Sequence, residues 1–144
     1  MKHALLVEVL SKYGHARLQV NGTSMLPALL PYDVVALQRP ETNELSRGDI
    51  VLIESDGRCF LHRIAHLEAG WVQTRGDFLL HKDESLPIEK VCGKVVAVER
   101  FGRQLVAVPC FHPLAQAIAR LDQSFPIPSS LAHIYARTRM QLSL

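Results

Sequence analysis

No stretch of this sequence is long and apolar enough to cross a membrane. The N-terminal run ALLVEVL is broken by Glu8, and a spanning helix needs about 20 apolar residues. The same run is too short for a secretory signal and lacks a small-residue cleavage site. Cysteine is scarce. Cys59, Cys92 and Cys110 are odd in number and widely spaced, with no C-x-x-C pair. That argues against a disulfide framework and against a zinc site, and it fits a reducing cytoplasm. Excess charge is lacking as well. The formal net charge is +2, and the Lys and Arg residues are scattered rather than gathered in a stripe, so nucleic acid is not an expected partner. There are no internal repeats, no low-complexity segments and no βαβ rhythm.

What is present suits one domain over residues 1–144. Its 144 residues, 48% of them hydrophobic, are enough for a real core. Leu5, Leu6, Val9, Leu10 and Tyr13 recur at helical spacing, and Gly14 can stop the helix they imply, giving an N-terminal helix over 1–14. From 15 to 108 the pattern changes to short runs rich in Val, Ile and Leu: ARLQVN, DVVALQ, DIVLIES, RCFLHRIAHL, GWVQTR, KVVAVERF and QLVAVP. Turn residues bound them, with Asp56-Gly57 and Ala69-Gly70 as hairpin turns. After Pro109, Leu114, Ile118 and Leu121 share one helical face, and Leu131, Ile134 and Tyr135 another, on either side of the breaker FPIPSS. The expected fold class is therefore mainly β: an antiparallel body with a short N-terminal helix and two C-terminal helices over 109–144.

Three stretches could carry chemistry. In VNGTSMLPALLPYD, Ser24 follows a strand and precedes Pro27, where the chain must turn. A serine hydroxyl attacks a carbonyl only when a neighbouring base takes its proton, and peptide N–H groups at such a turn can serve an oxyanion. Taken alone, a turn-capping role is the commoner one for such a serine. In CFLHRIAHL, strand alternation turns His62 with Phe60 and Ile64, and Leu61 with Arg63. An imidazole among apolar side chains is held neutral, as a general base must be, although a satisfied core histidine fits the same pattern. His62 and His66 have the i, i+4 spacing of a metal pair, but no third ligand has suitable spacing. In TRGDFLLHKDES, Asp77 and Asp83 could orient the imidazole, or could bond their own loop backbone. Asp77, following the strand GWVQTR directly, is expected to lie nearer His62 than Asp83 does. RGD occurs at Arg47–Asp49 and again at Arg75–Asp77, and nothing marks the chain as a secreted integrin ligand.

The order of these stretches says more than any one of them. VNGTSMLPALLPYDVVALQ, LSRGDIVLIES, CFLHRIAHLEAGWVQTRGD and KVCGKVVAVERFG resemble, in sequence order, the boxes of the signal peptidase I superfamily, which includes the self-cleaving LexA-like repressors. The resemblance runs from about Leu18 to Arg103. Where common bacterial signal peptidases and the repressors carry a lysine base, this chain has His62. In that respect it resembles the archaeal, endoplasmic-reticulum and sporulation-type branch. The resemblance implies a serine endopeptidase with Ser24 as nucleophile, His62 as base, and Asp77 or Asp83 orienting the histidine. It further implies an oxyanion site at the Ser24 N–H helped by Thr23, since Gly22 has no hydroxyl to offer. No metal and no cofactor are implied. The expected substrate is an extended peptide or leader-bearing protein, cleaved after small residues.

The chain departs from the family pattern in having FLLHKDE after Gly76-Asp77 where asparagines are usual, and in having no membrane anchor. The expected location is therefore cytoplasmic, or peripheral to a membrane through a membrane-associated partner. Two other readings compete. A peptide-binding relative without activity would not need Ser24, His62 and Asp77. A repressor would need a DNA-binding domain, for which 23 residues before Ser24 are too few.

Overall fold

The computed structural model of the chain describes residues 2–105. The two helices expected over 109–144 lie outside the described residues. Helix α1 (Lys2–Tyr13) ends where expected. Gly14 takes φ +76 and donates its N–H to the Leu10 carbonyl at 3.0 Å, closing the last turn in a conformation that favours glycine. Leu10 is fully buried and Leu6 packs partly against the core, but Leu5 and Tyr13 are about 60% exposed. The helix thus buries a narrower stripe than its apolar spacing suggested.

Among the described residues the body is one antiparallel sheet of eight strands: β1 (His15–Gln19), β2 (Val34–Gln38), β3 (Ile50–Ser55), β4 (Arg58–Glu68), β5 (Trp71–Arg75), β6 (Leu86–Pro87), β7 (Val91–Arg100) and β8 (Arg103–Leu105). The spatial order is β1-β2-β7-β3-β4-β5-β6, with β8 pairing β7. Turn chemistry matches the sequence. Asp56 and Gly57 have φ 52 and 72, and Phe101 and Gly102 φ 52 and 74, the paired positive values of a two-residue hairpin loop.

Strand β3 explains why the sheet has two cores. Ile50 and Leu52 join a cluster with Leu10, Met25, Leu29 and Val98, whereas Val51 and Ile53 join Leu45, Ile64, Val72 and Ile88. A strand buried on both faces reads as the continuous apolar run IVLI rather than an alternating one. Next to it, the long β4 changes partner midway. It pairs with β3 from Arg58 to Arg63 and with β5 from Arg63 to Glu68, with a bulge between Ile64 and His66. His62 stands one residue before that changeover.

Candidate active site

The segment that carries Ser24 is a loop tied at both ends. At its neck Val20 donates to the Asp33 carbonyl at 2.8 Å, and Tyr32 donates to the Val20 carbonyl at 2.7 Å. Asp33 is only 2% exposed. Its carboxylate accepts from the Leu30 N–H at 2.8 Å and from Arg100 Nε and Nη2 at 2.9 and 2.8 Å, while Arg100 Nη2 also donates to the Ala28 carbonyl at 2.9 Å. A bidentate guanidinium on a buried carboxylate is a strong and directional tie. This clamp spans 67 positions of sequence, and nothing local in the sequence pointed to it.

The far side of the Ser24 loop touches the turn after β5. Phe78 donates its N–H to the Ser24 carbonyl at 2.9 Å. A Cβ added at Gly76 would lie 2.7 Å from that same oxygen and 2.9 Å from Leu79 Cδ1, so position 76 must be glycine for the two segments to approach. The two RGD tripeptides therefore have different local reasons. Gly76 makes room for Ser24, whereas Gly48 supplies a φ of +95 in the turn before β3, where Asp49 accepts from the Ser46 N–H at 2.8 Å. Ser24 lines a cavity of 240 Å3 with Leu18, Val20, Leu52, Phe60 and Leu61.

His62 follows Phe60 and Leu61 of this cavity's lining in β4 and is not itself part of that lining. Its ring lies 4.8 Å from that of Phe60, as strand alternation requires, and the residue is 7% exposed. Its Nδ1 is 2.6 Å from Asp83 Oδ2, which also accepts from Thr74 Oγ1 at 2.6 Å. The acidic loop is held against β5 by two more bonds: Asp83 donates its N–H to the Thr74 carbonyl at 2.8 Å, and Gln73 Nε2 donates to the Asp83 carbonyl at 3.0 Å. Burial pushes the Asp83 carboxyl up, but hydrogen bonds from His62 and Thr74, together with attraction to His62, outweigh it and hold the group below its ordinary value. A carboxylate can only accept, so in the contact with an ionised Asp83 it is the Nδ1–H of His62 that donates. Among the described residues, no hydrogen bond joins Ser24 Oγ to His62.

Asp77 does something else, and here the sequence-based expectation is corrected. Asp77, not Asp83, was expected nearer the imidazole. Its Oδ1 and Oδ2 instead accept from Arg63 Nε and Nη2 at 2.8 and 2.7 Å, and Arg63 Nη1 donates to the Gly48 carbonyl at 2.8 Å. His62 and Arg63 are successive in β4 and so point to opposite faces. A carboxylate fixed on the Arg63 side is not the one that meets His62. Following a strand directly limited how far Asp77 could wander, but the partner was decided by which face it met. Thr74, only 2% exposed, is a site residue that sequence reasoning missed. Its place opposite Ile64 in the ladder, on the His62 face, was the available signal.

Two cysteines lie among the described residues, Cys59 and Cys92. Burial pushes both the Cys59 and the Cys92 thiols up, which disfavours the nucleophilic thiolate form. Among the described residues, no group of His, Cys, Asp and Glu side chains could hold a metal ion, and no helix is long and apolar enough to cross a membrane. A family model described as Peptidase S24-like matches residues 4–96. The chain belongs to the Peptidase S24-like family. No curated protein matches it. The match takes in most of α1, the Ser24 loop, β4, the Asp83 loop and most of β7, so Ser24, His62, Thr74, Asp77 and Asp83 fall within it, whereas Arg100 lies beyond its end.

Proposed function

We propose that the chain is a serine endopeptidase of the signal-peptidase type, in which Ser24, His62 and Asp83 form the reacting set. The observation that carries the proposal is the 2.6 Å contact between His62 Nδ1 and an ionised Asp83, which leaves Nε2 free to accept a proton. Ser24 Oγ attacks the carbonyl carbon of the scissile peptide and gives its proton to His62 Nε2. The Ser24 N–H, with Thr23 beside it, donates to the oxyanion. When the C–N bond breaks, His62 returns the proton to the leaving amine. Water then repeats the sequence against the acyl-enzyme. Asp83 selects the tautomer and stabilises the imidazolium in both halves, and Thr74 fixes Asp83. Catalytic hydrogen bonds commonly tighten on substrate binding, so the proposal requires Ser24 Oγ to reach Nε2 in the substrate complex.

The substrate is an extended peptide laid along the cavity between the end of β1 and the start of β4, and by resemblance it is cleaved after a small side chain. Asp77 acts on this site only by bracing β4 through Arg63. The test is cleavage of a library of small-residue peptides by the parent, Ser24→Ala and His62→Ala. The expected result is cleavage by the parent alone, with all three proteins equally folded. Peptide binding by all three with no cleavage by the parent would establish a binding module instead.

A further inference from the structure

The cavity beside Ser24 has one wall from outside the sheet. His3 and Leu6 of α1 line it together with the strand and loop residues named above. Residues three and four apart on a helix share a face, and Leu10, four positions after Leu6, continues that face into the core, where it is 1% exposed. The C-terminal half of α1 is firmly held. Leu10 joins the cluster of Leu29, Leu37 and Leu52, and a Cβ added at Gly93 of β7 would lie 3.3 Å from Leu10 Cδ1. Arg39 donates its backbone N–H to the Gly14 carbonyl at 2.8 Å and its Nη1 to the Ser11 carbonyl at 3.1 Å. The N-terminal half carries the two lining residues, and there the Cys59 thiol faces the His3 carbonyl at 4.0 Å.

The size and chemistry of the cavity say what it can hold. Among the described residues no Asp, Glu, Lys or Arg lines it, and Leu6, Leu18, Val20, Met25, Leu52 and Leu61 make it mainly apolar. A charged side chain would lose its hydration there and meet no counter-charge. An apolar cavity of about 150 Å3 is enough to take benzene. At 240 Å3, this one takes a side chain the size of Leu or Phe. The methyl group of a small residue would leave most of that volume empty and forfeit the contacts of its walls. The occupant is therefore a second, larger side chain of the same peptide whose small residue is expected at the scissile bond. Val20, Met25 and Leu52 belong to the core, at 7%, 3% and 1% exposure. Leu6 is only partly buried and stands on a helix beside the sheet, so its size can change without disturbing strand pairing or the Ser24 loop.

We propose that Leu6 is a specificity-determining residue: it walls the cavity beside Ser24 and fits it to one Leu-sized apolar side chain of a peptide ligand. The inference rests on the hydrolytic reading for the nature of that ligand, a peptide, and does not need the peptide to be cut. The test keeps the two apart. The probe is a library of acetylated octapeptide amides in which each position in turn is Ala, Leu, Phe, Lys or Glu. Cleavage by the parent reports on hydrolysis. The affinity of Ser24→Ala for the same peptides, measured by calorimetry, reports on the cavity whether or not the parent cleaves. At one position Leu should bind at least about tenfold better than Ala, the lower end of what apolar side-chain matching contributes, and Lys and Glu should bind no better than Ala. Adding Leu6→Ala should move the preference at that position from Leu to Phe. Adding Leu6→Trp should abolish the advantage of Leu while leaving the Ala peptide's affinity unchanged. Leu5→Ala, at the exposed neighbour on α1, should alter neither. Each preference is a ratio between two peptides on one protein, so a partly unfolded variant still reports it. A library with no position that prefers Leu to Ala would overturn the proposal, even if the parent is an active peptidase. So would a preference that both Leu6 substitutions leave intact, or one that Leu5→Ala shifts equally. A parent that cleaves nothing, beside a preference that shifts as stated, would remove the hydrolytic reading and uphold the cavity's role.

Discussion

Exchanging one oxygen for nitrogen at Asp77 and at Asp83 should produce opposite phenotypes. Asp77 is 2% exposed and Arg63 10%, and the carboxylate accepts from two guanidinium nitrogens, Nε and Nη2. Asp77→Asn leaves a buried guanidinium facing an amide that can accept at one atom only. Removing one partner of a buried pair costs about 3–5 kcal/mol, which for a chain of this size lowers the melting temperature by roughly 10 °C or more. Asp83 is more exposed, and an asparagine oxygen can still accept from Thr74, so Asp83→Asn should cost only about 1–2 kcal/mol. Its effect falls on chemistry. Loss of the charge removes imidazolium stabilisation, and an amide N–H aimed at Nδ1 favours the tautomer protonated on Nε2. Loss of the acid from such a set costs on the order of 10^4-fold in turnover. Melting curves and peptide cleavage on the same three proteins decide it. A stable Asp77→Asn without activity, beside an active Asp83→Asn, would refute the reasoning.

Other perturbations test the supports. Gly76→Ala places a Cβ against the Ser24 carbonyl and Leu79; a loss of about 1–3 kcal/mol and a sharp drop in cleavage are expected, measured by denaturation and turnover. Arg100→Ala strands the buried Asp33 carboxylate and should cost about 3–5 kcal/mol, read from a denaturant midpoint. Because the folded Asp83 carboxyl is held below its ordinary 3.8, its contribution to stability is complete above pH 3.8 and is lost as pH falls through the lower folded value. Asp83→Asn should therefore flatten that part of the acid-stability curve, and Thr74→Val, which removes one bond to the carboxylate, should move the loss to higher pH.

Periodicity made most of this fold readable. The strand runs, the positive-φ turns and the end of α1 at Gly14 all follow from local chemistry. Strand β6, two residues at Leu86–Pro87, is too short to carry a pattern of its own. The pairing of His62 with Phe60 followed from alternation, but the choice between Asp77 and Asp83 depended on which sheet face each loop residue met, and alternation along one strand does not report that. The Asp33–Arg100 clamp joins positions far apart in sequence, so it leaves no local signature. Gly76 was visible as half of a repeated RGD, yet its reason, the close approach of Ser24, is tertiary.

The most direct test is intact-mass and peptide mapping after reaction with a phosphonofluoridate, whose phosphorus is attacked by an activated serine oxygen as fluoride leaves. The account predicts one adduct on Ser24 in the parent, none in Ser24→Ala, and a rate at least about a hundredfold lower in His62→Ala, the lower end of what a positioned base contributes. An adduct on Ser24 that forms as fast in His62→Ala as in the parent would contradict it.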